Sequence, residues 1–133
     1  MTLVDTSAWV EFLCSTGSDT HRAVRLLLEG DEVVHTTDVV VMELLAGARD
    51  EAHHQRLRRL LTRCDYLPVE GLETYESAAR LYEACRRAGE TVRALTDCLI
   101  AAVALRADVT VLHRDHDFDV LALHGGLSAS RGG

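Results

Sequence analysis

Short apolar runs that do not alternate with polar residues restrict the fold of this chain more than any other feature. Leu3-Val4 near the start and the run at 109–112 near the end are of this kind. A strand with one wet face alternates in polarity, whereas a strand covered on both faces does not. Two further short runs, at 33–36 and 66–69, read as strands, and Pro68 places the latter at a sheet edge or strand end. Helical stretches separate all of them, which requires parallel pairing through right-handed crossovers. The sequence therefore predicts an α/β chain in three layers.

The helical stretches follow a 3.6-residue period. Residues 6–13 place Trp9, Phe12 and Leu13 on one face, and 21–29 do the same with Val24, Leu27 and Leu28 before a turn at Gly30-Asp31. A helix at 37–48 has Thr37 or Asp38 as its N-cap, and one at 50–63 lines up Leu57, Leu60, Leu61 and Cys64. Residues 72–88 share Tyr75, Ala78, Ala79, Tyr82 and Cys85 on a face, with Arg86 and Arg87 in the last turn and Gly89 just beyond it. The stretch 94–106 is apolar nearly all round, which predicts a buried central helix. A short helix at 116–123 and a turn at Gly125-Gly126 lead to a tail, 128–133, expected to fray. There is no repeat or linker, and 133 residues suit one domain, 1–133.

Composition excludes several chemistries. All 14 basic residues are arginine, which removes lysine Schiff bases and the phosphate-loop lysine. Asparagine is absent, so there is no Cys-His-Asn triad, and no G-x-S-x-G supports serine hydrolysis. The four cysteines form no C-x-x-C pair and sit in helical apolar stretches, so they read as buried, reduced thiols. No apolar run is long enough to span a membrane, and Met1 to Asp5 lacks the features of a secretory signal, so a cytoplasmic location is expected. The net charge of −7 argues against simple electrostatic attraction to nucleic acid. It is compatible with a site whose acids hold cations that in turn meet phosphate.

The acids themselves are placed informatively. Asp5 closes the first strand, Glu43 lies in an apolar helix, Asp97 opens the most buried helix, and Asp115, Asp117 and Asp119 follow the last long strand. In a parallel sheet, Asp5 and Asp115 fall on the same edge, where ligands of such sheets bind. Asp97 faces that edge too if its helix leads back to the following strand. Crowded carboxylates repel, and a divalent cation relieves this. An all-oxygen donor set fits Mg²⁺ or Mn²⁺ better than zinc. Each acid also has a structural reading: Asp5 as a helix cap, Glu43 paired with a buried arginine, Asp97 favoured by a helix dipole, Asp115 and Asp117 as turn residues. His53-His54 reads as solvated. His113 and His116 flank the acidic loop in a surface or packing role, with substrate contact or proton transfer as the alternative.

Four segments carry a family likeness. Val4-Asp5-Thr6-Ser7-Ala8-Trp9, Met42-Glu43-Leu44-Leu45-Ala46-Gly47, Thr96-Asp97-Cys98-Leu99-Ile100-Ala101-Ala102 and His113-Arg114-Asp115-His116-Asp117-Phe118 resemble, in order and spacing, the acidic motifs of PIN domains. Chain length and motif order resemble the VapC group of toxins, and the likeness covers almost the whole chain. The resemblance implies an α/β/α sandwich around a parallel sheet of four or five strands. It implies an Mg²⁺- or Mn²⁺-dependent endoribonuclease acting on structured RNA such as tRNA or ribosomal RNA, a VapB-type antitoxin that blocks the site, and a homodimer. Metal ligation carries over to Asp5 and Asp97, and to Glu43 and Asp115 as ligands or supporting acids, with Asp117 as a further catalytic acid. Many relatives have threonine or serine where His113 stands.

The expected chemistry is metal-assisted hydrolysis of a phosphodiester. Thr6 or Ser7 would orient Asp5 or the attacking water, and Arg93 and Arg114 would position phosphates. A non-catalytic PIN module acting through protein contacts is the competing reading, and it would have shed acids that are all present here. A phosphoacceptor of the response-regulator kind would need the lysine that is missing. DNA is the alternative substrate.

Overall fold

The computed structural model describes residues 1–133. Five strands and seven helices follow in the order β1 (Thr2–Val4), α1 (Thr6–Leu13), α2 (Asp19–Glu29), β2 (Val34–Thr36), α3 (Asp38–Ala46), α4 (Glu51–Leu61), β3 (Asp65–Tyr66), α5 (Gly71–Arg87), α6 (Leu95–Ala107), β4 (Thr110–Leu112), α7 (His116–Gly125) and β5 (Ala129–Ser130). The strands form one parallel sheet in the order β3-β2-β1-β4-β5. With its helices it makes the expected α/β/α sandwich. Leu3 is level with both His35 and Val111, and Val4 with Leu112. Because every strand runs the same way, the residues just past β1, β4 and β5 meet at one edge.

The central position of β1 explains its composition. Leu3 and Val4 are inaccessible, as is Val111 beside them, so a polar residue there would lose its water without gaining a partner. Helix α6 behaves as its apolar circumference requires: Cys98, Ile100, Ala101, Val103 and Ala104 are all buried in the core. Phe118 on α7 and Trp9 on α1 are the largest fully buried side chains. Truncating Phe118 to alanine would cost about 3–5 kcal/mol and loosen α7, which carries two of the acids. No helix is long and apolar enough to cross a membrane.

Several expectations are corrected. The third strand is only Asp65–Tyr66 rather than 66–69. Leu67 adds one bond from its N–H to the Thr36 carbonyl, and Pro68, lacking an N–H, ends the pairing. Thr37 takes the N-cap of α3, one of the two expected positions, though without a side-chain bond, while Asp38 accepts from the Val69 N–H and the Tyr66 hydroxyl. The cysteines are all free, but only Cys85 and Cys98 are buried; Cys14 is exposed and Cys64 half-buried. The largest difference is at the C-terminus. Residues expected to fray from 128 onward instead add β5 to the sheet, with Val111 N–H bonding to the Ser128 carbonyl and His113 N–H to that of Ser130.

Candidate active site

The end of β1 supplies Asp5, which is both helix cap and site residue because its two oxygens do different things. Oδ2 accepts from the Ser7 N–H at 2.9 Å and the Ser7 hydroxyl at 2.5 Å, starting α1. Oδ1 is buried with no partner. Burial, opposed by the Ser7 bonds and reinforced by the nearby Glu43 charge, raises the Asp5 pKa to about 6. Ser7 Oγ also accepts from the Arg114 N–H at 2.9 Å, which fastens the end of β1 to the turn after β4.

Glu43 comes from α3 and is held by Thr6, whose hydroxyl donates to Oε1 at 2.9 Å. It is half-buried and does not pair with an arginine. Asp97 lies in the first turn of α6 and is only 5% exposed, with Oδ2 unpartnered. Burial is the main reason its pKa rises to about 9. A hydrogen bond with Asp117 and repulsion from Asp5, Asp115 and Asp117 add to the shift.

The turn after β4 presents the remaining acids differently. Asp115 caps α7, accepting from the Asp117 N–H at 2.9 Å, and meets Arg93 Nη2 at 3.2 Å. Asp117 is as buried as Asp97. Despite that burial, the Arg93 N–H, the bond from Asp97 and the Ala94 N–H keep its carboxyl below the ordinary value. The Arg93 N–H reaches both its oxygens, at 3.1 and 3.2 Å, and the Ala94 N–H reaches Oδ2 at 3.1 Å. One oxygen each from Asp97, Asp115 and Asp117 lies within 4.8 Å of the others. Electrostatically the acids form a series: Glu43 acts on Asp5, and Asp5 on Asp97.

This arrangement fits a hard divalent cation. The donors are all carboxylate oxygens, two of them buried and unpartnered, and ionised Asp97 is disfavoured unless a positive charge replaces its lost hydration. The basic residues divide. Arg93, 74% exposed on its side chain, spans Asp115 and Asp117 at the rim. The Arg114 guanidinium turns away to Glu11, at 3.6 Å, and Thr20 Oγ1, at 3.5 Å, so its backbone rather than its side chain serves the site.

The histidines divide as well. His116 is exposed, but the His113 ring is 1% exposed and tilted against Phe118 at a centroid distance of 5.3 Å. Burial lowers its pKa, against the opposing pull of the nearby Asp119 charge. Sequence reasoning placed Asp119 in the acidic loop without giving it a role. It faces Arg131 from the C-terminal segment, whose bonds lower the Asp119 pKa. The only signal for that pair was the i, i+2, i+4 spacing of Asp115, Asp117 and Asp119.

A parallel α/β/α sheet with acids from β1, α3, α6 and the β4–α7 turn gathered at one strand-end edge has the architecture of a PIN domain. The PIN domain family profile matches residues 2–123, and the chain belongs to that family. Within it, the chain falls among the VapC ribonucleases. It is 44% identical over 131 residues to Ribonuclease VapC11 of Mycobacterium tuberculosis, covering 98% of both chains. Its fold is similar to VapBC2 from Rickettsia felis, solved bound to a DNA fragment from its promoter (TM-score 0.76, 16% identity, 97% and 96% of the two chains). It is also similar to Mycobacterium tuberculosis VapC20, described as a sarcin-ricin loop cleaving toxin (TM-score 0.64, 23% identity, 90% and 93%).

Proposed function

We propose that this protein is an endoribonuclease, the toxin of a VapBC-type pair, whose acids hold Mg²⁺, with Mn²⁺ as a substitute, to hydrolyse a structured RNA. The observation that carries the reading is the pair of buried, unpartnered carboxylate oxygens on Asp5 and Asp97, in a site where burial and repulsion keep Asp97 protonated up to about pH 9. A residue kept for structure alone gains nothing from such a position, whereas a cation turns it into a binding site.

Asp5, Asp97 and Asp115 would hold the ion, with Glu43 and Asp117 beside them. When bound, a divalent cation lowers the pKa of water and offsets charge on the scissile phosphate. The chain's own work is orientation and charge. Ser7 and Thr6 hold Asp5 and Glu43 in place through the hydroxyl bonds described. Asp97 would hold the cation as its carboxylate, its proton released to solvent. Asp117 fixes the 93–94 backbone, which aims Arg93 across the rim. Arg93 then exchanges its bond to Asp115 for a substrate phosphate oxygen, a bidentate partner suited to guanidinium.

The partners in this reading are RNA, a VapB-type antitoxin and a second copy of the chain, in the cytoplasm. No observation favours the non-catalytic alternative, since all five acids stand at the site. The test is incubation of antitoxin-free protein with total RNA, with Mg²⁺ or EDTA, beside Asp5→Ala. Discrete fragments requiring both the metal and Asp5 are expected; cleavage that survives EDTA and the substitution would sink the mechanism.

A further inference from the structure

We propose that the C-terminal segment is part of the catalytic apparatus: Arg131, through Asp119 and His113, positions the backbone that aims Asp115 into the site. The proposal rests on the nuclease reading above and concerns a positioning role for three residues outside the acid cluster.

Hydrogen bonds join Arg131 to Asp119, and an ion-pair-length contact joins Asp119 to His113. Arg131 reaches both oxygens of Asp119, with Nη2 at 2.5 Å from Oδ2 and Nε at 3.3 and 3.2 Å from the two oxygens. Asp119 Oδ1 lies 3.6 Å from His113 Nε2. On the other side of the ring, Nδ1 accepts from the Asp115 N–H at 3.1 Å. That donor requires Nδ1 to be bare, so the single ring proton sits on Nε2, facing Asp119. A carboxylate that fixes the tautomer and orientation of an imidazole, which in turn fixes a neighbouring group, is how outer partners support metal sites.

The tail is tied at both ends of this relay. The His113 N–H bonds to the Ser130 carbonyl at 2.9 Å. The inaccessible Thr20 hydroxyl donates to the Arg131 carbonyl at 2.6 Å. Arg131 is thus held by its backbone while its side chain grips Asp119. A threonine or serine at position 113 would offer a hydroxyl to the Asp115 N–H but could not reach Asp119. The histidine makes Asp115 answer to a residue 16 positions further along the chain.

The experiment measures Mn²⁺ binding by electron paramagnetic resonance, steady-state RNA cleavage and thermal unfolding on wild type, Arg131→Ala, Arg131→Lys, Asp119→Asn, His113→Asn and His113→Leu. Arg131→Ala should lower both Mn²⁺ affinity and kcat about tenfold, the scale of lost outer partners, with KM for RNA and cooperative unfolding kept. Arg131→Lys should recover part of both. His113→Asn, which retains an acceptor for the Asp115 N–H, should bind Mn²⁺ better than His113→Leu. Wild-type Mn²⁺ affinity and kcat in both Arg131→Ala and Asp119→Asn would overturn the proposal. So would a rise in KM alone, which would make Arg131 a phosphate contact, or losses that appear only with a collapsed unfolding transition. Wild-type protein that neither binds Mn²⁺ nor cleaves RNA would instead overturn the nuclease reading, and this inference with it.

Discussion

Asp97 and Asp117 share a hydrogen bond and are both nearly inaccessible, yet burial drives the first up to about 9 while the second stays below its ordinary value. The difference lies in what surrounds them. Asp117 receives backbone N–H groups from Arg93 and Ala94, whereas Asp97 faces three other carboxylates and leaves an oxygen bare. The same contrast separates Asp119, paired with Arg131, from Asp5, which has burial and Glu43 against it. One flank of the site is an acidic scaffold neutralised from within the chain. The other is left electrically incomplete. Burial alone does not mark a ligand; among the carboxylates, a buried oxygen without a partner singles out Asp5 and Asp97.

Neutralising the incomplete flank should have the largest effect and opposite signs on activity and stability. Asp97→Asn is expected to lower kcat by more than the roughly 100-fold seen for supporting residues. It should also raise the metal-free melting temperature by about 5 °C, because the folded chain no longer has to take up a proton at a buried carboxyl that is ionised when unfolded. Cleavage assays and calorimetry check both. A variant that loses activity and stability together would place Asp97 with the scaffold.

The next test uses pH. Raised pKa values mean that the folded, metal-free chain holds protons that the unfolded chain releases near 3.8. Stability from Asp5 therefore falls as pH rises toward about 6, and from Asp97 as it rises toward about 9. Asp117 and Asp119 act oppositely: their contribution is present above 3.8 and lost as pH drops through their lowered values. Thermal melts from pH 5 to 9 should slope downward without metal and flatten with Mn²⁺, which favours the ionised form. Equal slopes with and without Mn²⁺ would remove the electrical distinction between the flanks.

The smallest effect is expected at Thr6→Val. It deletes one hydrogen bond to a half-buried Glu43, worth about 1 kcal/mol, and should lower kcat about fivefold with stability nearly unchanged. A hundredfold loss would show that Thr6 does more than orient Glu43.

Much of this was legible from the sequence. The strand-end positions of Asp5 and Asp115 follow from apolar runs that stop just before them, at Val4 and Leu112, and the buried α6 follows from apolar residues on nearly every side. The double use of Asp5 was not legible, since a cap and a ligand have the same local signature. The roles expected for Arg93 and Arg114 parted for a similar reason. Their side-chain directions depend on Asp117 and Glu11, which lie 24 and 103 positions away in the chain, as Arg93 to Asp117 and Arg114 to Glu11. The C-terminal segment was misread because a run of small and polar residues has no periodicity. Its order comes from the exposed edge of β4.

The sequence by itself determined the alternation of strands and helices, the parallel sheet and the edge at which the acids gather. Those are consequences of local periodicity and of strands that need covering on both faces. Only the tertiary structure decided which acids are satisfied and which are not, and that residues near the chain end reach back to His113. A carboxylate's charge state depends on the donors and charges within a few ångströms, and here those come from strand ends and loops far apart in the chain.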